Sequence, residues 1–216
     1  FYYTWYGPVE QNGSGRHWGR VNATARDIEA SRDYPVGGAY NSMDPAVIDR
    51  HIHEAKACGI DGFICTWWGQ GTYDDQAFAL VLDRAAAQDF HATIYWETAP
   101  HQGEEQLRQA ARDLLYVLNR YASHPAFLKI DGKPVIFVYG RVMGQMPPGA
   151  WPALITEVEQ RYGSEVVLIA DGFQELYARL FDGVHSYAIL DWLRGLEPAE
   201  VSRAAQEHFT AAVALA

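Results

Sequence analysis

The stretch HATIYWE, residues 91–97, has the composition of a buried β-strand that ends on a carboxylate. Its β-branched and aromatic residues favour a strand, and a short apolar run is typical of a strand covered on both faces, as in a parallel sheet. Glu97 lies where the strand should end, just before a Thr-Ala-Pro turn. We therefore predict a strand here, with a partly desolvated carboxylate at its carboxyl end.

Strands of the same kind are predicted on both sides of this stretch. The runs that predict them are FYYTWYG (1–7), GIDGFICTWWG (59–69), KPVIFVYG (133–140), EVVLIADG (165–172) and DGVHSYAIL (182–190). Capping residues and spacing predict helices over about 44–57, 75–88, 104–121, 149–161, a short segment ending near 180, and 197–216. The segment from about 8 to 43 is expected to be a loop. Strands alternating with helices indicate βα units and a parallel sheet.

Two α/β architectures fit this order of elements: a doubly wound open sheet and a (β/α)₈ TIM-type barrel. A nucleotide-binding open sheet usually has a glycine-rich phosphate loop, but GQG at 69–71 lacks the third glycine and the Lys-Ser/Thr pair. The barrel is therefore favoured. Because six of its eight βα units are recognised, residues 1–216 are expected to be a single incomplete barrel domain, truncated at both ends.

Composition narrows the class of ligand. The formal net charge is −10 and no basic run occurs, which argues against a nucleic-acid partner. No apolar run reaches the roughly 20 residues that cross a bilayer. Cys58 and Cys65 are too few for a disulfide framework and are expected to be buried apolar residues. They leave the compartment open, and an extracytoplasmic (secreted or periplasmic) location is favoured.

Aromatic and acidic residues gather at the predicted carboxyl ends of the strands, where barrels bind their ligands. They are Trp5, Tyr6, Trp67, Trp68, Trp96, Glu97, Tyr139, Asp171, His185 and Tyr187, joined by Arg141. Rings stack on the C–H faces of sugars, and carboxylates accept strong hydrogen bonds from hydroxyl groups. The pattern therefore favours a cleft for an oligosaccharide or polysaccharide.

Several of these residues also have ordinary structural interpretations. Trp67 and Trp68 are adjacent on a strand and cannot both point inward, so one is expected to pack against a helix. Asp171 is a preferred residue type for capping the next helix. The Tyr187 hydroxyl could simply bond the backbone.

No metal or cofactor is expected. His51 and His53 form a His-x-His pair, but they lie in a predicted helix, where residues two apart diverge. Both are interpreted as surface histidines. A Gly-x-Ser-x-Gly nucleophile motif is absent from the sequence.

Four motifs together resemble glycoside hydrolase family 99, which contains the endo-α-mannosidases and bacterial endo-α-mannanases. They are FYYTWYG (1–7), RHW (16–18), the run from YP to WWG (34–69), and RYASHPAFLKIDGKPVIFVY (120–139). The resemblance extends over about residues 1–190. It implies a (β/α)₈ barrel that cleaves internal α-mannosidic bonds with retention and without a metal.

The resemblance also implies a mechanism. One carboxylate assists the sugar 2-hydroxyl in attacking its own anomeric carbon, which gives a 1,2-anhydro intermediate, and a second carboxylate acts as acid and then as base. This differs from the carboxylate nucleophile of most retaining enzymes. In the family both roles fall to a Glu-x-x-Glu pair within an Asn-Glu-Trp-His-Glu type motif, and this sequence has no such motif. It is expected beyond Ala216, so no principal catalytic residue is predicted within the chain.

By the same resemblance, Glu97 falls on a substrate-binding glutamate, and Tyr2 or Tyr6, Trp68 and Tyr187 fall on positions that line the sugar site. The predicted substrate contacts are Glu97, Tyr2, Tyr6, Trp67, Trp68, His185 and Tyr187. Two departures from the family pattern favour a divergent relative. Thr98 and Ala99 replace Pro-Tyr after Glu97, and Gly140 replaces the aspartate of a Val-Tyr-Asp motif.

These observations predict a retaining, endo-acting α-glycosidase of the α-mannosidase or α-mannanase type. Two alternatives remain at this point: a carbohydrate-binding barrel that has lost catalysis, and an endo-α-glucanase on the same fold. A nucleotide-dependent enzyme is disfavoured by the missing glycine-rich loop.

Overall fold

The structure, a computed structural model, describes residues 1–187 and 193–213. The chain divides into two compact units, the first formed by 1–94 and 120–128 and the second by 95–119 and 129–216. One strand and one helix continue from one unit into the other.

The first unit contains these elements in chain order: β1 Ser14–Gly15, β2 Gly19–Asn22, β3 Asp27–Ile28, α1 Pro45–Ala57, β4 Gly62–Trp67, α2 Tyr73–Ala86, and the start of β5 His91–Trp96. Helix α3, Gly103–Tyr121, ends in this unit. The predicted helices at 44–57 and 75–88 and the predicted strands at 59–69 and 91–97 are confirmed, with shifts of a few residues at their ends.

The segment predicted as a loop instead contains a small antiparallel sheet of β1, β2 and β3. Ser14 pairs with Arg20, and Val21 pairs with Ile28. Trp18 is 3% exposed and donates from Nε1 to the carbonyl of Tyr40 at 2.8 Å. The loop prediction was wrong here because strands of two to four residues are too short to show an alternating pattern.

The predicted strand at 1–7 forms only one bridge, a parallel one between Tyr2 and Cys65. Beyond it, Thr4 donates from its Oγ1 to the Thr66 carbonyl at 3.1 Å. The Thr4 backbone N–H is directed to the Thr66 side-chain oxygen at 3.4 Å. Side-chain bonds thus replace the expected ladder, so the prediction of a full strand was wrong.

Helix α1 follows directly from local sequence signals. The Asp44 side chain accepts a hydrogen bond from Ala46 N at 2.9 Å, and Pro45 occupies the first turn. His53 is exposed as expected, but His51 is half-buried and lies 3.0 Å from the Tyr2 hydroxyl through its Nδ1. The interpretation of both histidines as surface residues therefore fails for His51.

The two cysteines differ from each other. Cys65 is completely buried in β4, as predicted. Cys58 is exposed, because it caps the carboxyl end of α1, and the prediction that it is buried was wrong.

The second unit continues with β6 Lys129–Ile130, β7 Lys133–Val138, α4 Gly140–Gln145, a 3₁₀ turn Pro148–Ala150, α5 Trp151–Tyr162, β8 Val167–Asp171, α6 Glu175–Leu180, β9 Gly183–His185 and α7 Pro198–Val213. Helix α4 was not predicted. The predicted helix at 149–161 corresponds to the 3₁₀ turn and α5.

The sheet of the second unit is parallel along the order β5, β7, β8, β9. The short strand β6 pairs antiparallel with the start of β7. Five of the six predicted strands are present in the described part of the chain, and 1–7 contributes the single bridge. The strand predicted at 182–190 is formed over Gly183–His185, and its residues 188–190 lie outside the described residues. The predicted α/β class with a parallel sheet is confirmed.

Among the described residues, no helix has both the length and the hydropathy required to cross a bilayer. In the same part of the chain, no group of three or more His, Cys, Asp or Glu side chains is arranged to hold a metal ion.

Candidate active site

The carboxyl ends of the parallel strands in the second unit carry the polar and aromatic side chains that the sequence places there. Parallel strands end at the same edge of a sheet, so these side chains come together. A cavity of about 270 Å³ lies at this edge. It is lined by Tyr139, Gly140, Arg141, Asp171, Gly172, Phe173, Ser186, Tyr187 and His208.

Asp171 is the centre of a hydrogen-bond cluster at this edge. Its Oδ2 accepts from the Tyr95 hydroxyl at 3.2 Å and from Gly140 N at 3.1 Å. Its Oδ1 accepts from Tyr187 N at 3.1 Å and lies 4.0 Å from His185 Nδ1. The alternative that Asp171 caps the next helix is excluded, because α6 is preceded by Gln174 and has no side-chain cap.

Three tyrosine rings pack against one another beside Asp171. The ring centroids are separated by 5.2 Å between Tyr95 and Tyr139, 5.8 Å between Tyr95 and Tyr187, and 5.3 Å between Tyr139 and Tyr187. Tyr95 is 1% exposed, whereas the other two line the cavity. Burial, together with the neighbouring Asp171 carboxylate, raises the pKa of Tyr95, so its hydroxyl stays protonated and donates.

Glu97 follows β5 and is 5% exposed. Burial is the main cause that raises the pKa of Tyr139, and the charge of Glu97 adds to the rise, so the two groups are within electrostatic reach. The backbone after Glu97 is fixed by amide side chains: Ala99 N donates to Gln145 Oε1 at 2.7 Å, and Gln106 Nε2 donates to Ala99 O at 2.8 Å. Glutamines thus fix this turn where the family's Pro-Tyr is missing.

His185 is not among the residues that line the cavity, and 12% of its side chain is exposed. Its ring centroid is 5.4 Å from those of Tyr95 and Phe137. Burial lowers the pKa of His185, and nearby Asp171 opposes the shift. The second unit therefore holds Glu97, His185 and Tyr187 from the predicted substrate contacts, and their roles stay predictions.

In the first unit, the two adjacent tryptophans point in different directions, as expected for neighbours on a strand. Trp67 is 1% exposed and packs inside the unit. Trp68 instead lines a cavity of about 270 Å³ together with Trp5, Arg16, His17, Thr72 and Asp74. The centroids of Trp5 and Trp68 are 6.3 Å apart, and Trp5 stacks on His17 at 4.8 Å.

A buried carboxylate forms one wall of this cavity. Asp74 is 2% exposed, and its Oδ2 accepts from Trp68 N at 2.6 Å. Burial raises the pKa of Asp74, and the bond from Trp68 opposes the rise. Sequence reasoning missed Asp74, Arg16 and His17 as cavity residues because none of them lies at a strand end. The RHW motif was the available signal for the latter two.

Tyr2 and Tyr6, the remaining predicted contacts, both pack on other rings. Tyr2 stacks on Phe63 with centroids 4.3 Å apart, and Tyr6 stacks on Trp18 at 4.0 Å. Neither is among the residues that line the Trp5–Trp68 cavity. Their contact with substrate stays a prediction.

The family assignment now has direct support. The profile of glycosyl hydrolase family 99 matches residues 1–165. The chain belongs to this family. The resemblance stated from the sequence motifs is therefore confirmed.

Curated relatives within family 99 carry mannosidase names. The glycoprotein endo-α-1,2-mannosidase of Xenopus laevis is 26% identical over 183 residues, which cover 72% of this chain and 40% of that protein. A human glycoprotein endo-α-1,2-mannosidase-like protein is 25% identical, over 87% of this chain and 48% of its own length. The chain thus spans less than half the length of these relatives.

Among solved structures, the family 99 endo-α-mannosidase of Bacteroides thetaiotaomicron is similar over 96% of this chain and 65% of that chain, with 26% identity and a TM-score of 0.71. A glycoside hydrolase-like protein with 14% identity and a TM-score of 0.63 shares the fold. Together with the parallel strand order, this similarity supports the predicted α/β fold of barrel type.

Proposed function

We propose that the protein containing this chain is an endo-acting α-glycosidase that hydrolyses internal α-mannosidic bonds in glycans. The observation that carries the proposal is the edge of the second unit in a family 99 chain, where Asp171, Tyr139 and Tyr187 line one cavity and the charge of Glu97 acts on Tyr139. The similarity to proteins named endo-α-mannosidases favours mannose over glucose.

The side chains suit a neutral sugar. Tyr139 and Tyr187 present rings to the C–H faces of a pyranose, and Trp68 does the same in the cavity of the first unit. Glu97 accepts hydrogen bonds from sugar hydroxyls as a carboxylate. In the second unit, Tyr139, Tyr187 and Glu97 bind and orient the glycan, which places the scissile bond for attack.

The bond-breaking groups are proposed to be the two glutamates of the family's Asn-Glu-Trp-His-Glu type motif, which does not occur in residues 1–216. One carboxylate assists the sugar 2-hydroxyl in displacing the leaving group, and the other protonates the leaving oxygen and then activates water. Two displacements at the anomeric carbon give net retention.

The test is hydrolysis by the full-length protein of a matched panel of α-mannan and α-glucan oligosaccharides. Release of new reducing ends from internal bonds of α-mannan, with the α-anomer appearing first by NMR, is the expected result. Cleavage restricted to α-glucans would support an endo-α-glucanase instead. Tight binding of α-mannan without release of reducing ends would support a binding protein.

A further inference from the structure

The carboxylate of Asp171 connects four successive strands of the second unit at their carboxyl ends. Asp171 is the last residue of β8, and its bonding partners are Tyr95 in β5, Gly140 just after β7 and Tyr187 just after β9. Two of the three donors are backbone N–H groups, so the contacts fix main chain as well as side chains. Only 16% of the Asp171 side chain is exposed.

Only a carboxylate satisfies this set of donors. Both oxygens of an ionised Asp accept, whereas Asn has one accepting oxygen and one donating NH₂ group. An Asn with its oxygen towards Gly140 would direct its NH₂ group at the Tyr187 N–H. An Asn in the reverse orientation would direct its NH₂ group at the Gly140 N–H. Neither backbone N–H can accept, so one of these two part-buried donors would always lose its acceptor at position 171.

Gly140 leaves room for the same contact because it has no side chain. A Cβ added there would lie 2.9 Å from Asp171 Oδ2, closer than real contacts of this kind. Gly140 begins helix α4, and its backbone is not in the left-handed region, so an alanine would be acceptable apart from this contact. The contact therefore requires both the absence of a side chain at position 140 and the carboxylate at position 171.

We propose that Asp171 is a positioning residue that holds Tyr139 and Tyr187 in place as the sugar-binding walls of the cavity. Asp171 fixes Tyr187 by accepting from the backbone N–H of Tyr187. It fixes Tyr139 indirectly, through its hydrogen bond with the next residue, Gly140, and through the ring of Tyr95, which packs against the ring of Tyr139. The inference rests on the proposed function, since it gives these two rings a sugar to bind.

The test uses the full-length protein and compares Asp171→Asn with Asp182→Asn. Asp182 is a matched control, because its Oδ2 accepts from Leu168 N at 2.9 Å near the opposite end of β8. We expect Asp171→Asn to raise KM for α-mannan, and Kd for a manno-oligosaccharide measured by calorimetry, by about tenfold or more. Asp182→Asn keeps an oxygen that can accept from Leu168 N, and it is expected to leave KM and Kd within about twofold of the wild-type values.

A double-mutant cycle in Tm tests the contact itself. Gly140→Ala is expected to lower Tm in the wild-type background but to have little effect in Asp171→Ala, because the atom that it would meet is gone. Equal effects in both backgrounds would overturn the inference. So would an Asp171→Asn protein that is folded and has wild-type KM and Kd.

The two proposals fail in different ways. A wild-type protein that binds manno-oligosaccharides without cleaving them refutes the proposed hydrolysis, while the Kd comparison still decides the role of Asp171. A wild type that neither binds nor cleaves α-mannan overturns both.

Discussion

The indole Nε1 of Trp67 donates a hydrogen bond to Asp75 Oδ1 at 2.8 Å, and both residues are almost fully buried. The same oxygen accepts from the Tyr121 hydroxyl at 2.8 Å, and Oδ2 accepts from Gly71 N at 2.9 Å. Asp75 thus fixes the chain on both sides of Trp68. The ring of Trp68 is left to line the cavity of the first unit.

Replacing Asp75 by Asn should destabilise the protein. The amide NH₂ group would face either the Gly71 N–H or the donors of Trp67 and Tyr121, so at least one of these three donors would lose its acceptor at position 75. We expect the free energy of unfolding to fall by about 1–3 kcal/mol, measured by urea denaturation. Glu157→Gln is the control, because its ion pair with Arg161 is exposed and its loss should leave the urea midpoint unchanged. Equal midpoints for both variants would contradict the structural role of Asp75.

Trp68→Ala should weaken glycan binding, because the ring lines the cavity of the first unit. Loss of a stacking surface worth about 1.4 kcal/mol corresponds to a tenfold increase in Kd for a manno-oligosaccharide. Tyr34→Ala is a suitable comparison, since Tyr34 contacts Arg26 through its ring and does not line this cavity. Unchanged affinity in a folded Trp68→Ala protein would remove Trp68 from the substrate contacts.

Glu97→Gln should lower kcat/KM of the full-length protein. Loss of a charge-assisted hydrogen bond to a sugar hydroxyl costs about 1.5–3 kcal/mol, or roughly 10- to 150-fold in rate. Glu104→Gln is the matched control, because the Glu104 side chain is 90% exposed on α3. Turnover near the wild-type value for Glu97→Gln would show that this buried carboxylate does not hold the substrate.

Stability should decrease in mild acid through His51. Burial and the neighbouring Arg50 lower the pKa of His51, and Glu54 opposes the shift. The unfolded chain therefore binds a proton first, as the pH falls below about 6.5, and stability is lost until the folded imidazole also takes up a proton. Urea denaturation between pH 7.5 and 5 measures this change.

The variant His51→Gln provides the comparison for the acid effect. It removes the titrating group and keeps an amide that can bond the Tyr2 hydroxyl, so the decline in acid should become shallower. An identical pH dependence in the two proteins would assign the acid sensitivity to other groups.

Where local signals set the structure, the fold could be predicted from the sequence. Asp44 and Pro45 define the start of α1, and apolar runs define β4, β5, β7 and β8. The prediction was wrong for 1–7 and for the small sheet of β1–β3. In the first case side chains of Thr4 and Thr66 take the place of ladder bonds, and in the second the strands are too short for periodicity.

The candidate site could be predicted in part. Placing residues at strand ends correctly selected Tyr139, Asp171 and Tyr187 as neighbours, because parallel strands end together. It missed Asp74 and His17, which reach the other cavity from a helix and a loop. The RHW motif singled out His17, but the order of residues does not place such contacts, because they join positions far apart in the chain.

The sequence by itself determined the family, the alternation of strands and helices, and the aromatic and acidic character of the strand ends. Only the tertiary structure decided that Trp67 is buried against Asp75 while Trp68 lines a cavity, and that Asp171 accepts from Tyr95, Gly140 and Tyr187 instead of capping α6. Element type follows from local propensity and periodicity. The direction of a side chain and the partners of a buried carboxylate depend on which distant segments the fold brings within 3 Å or so of one another.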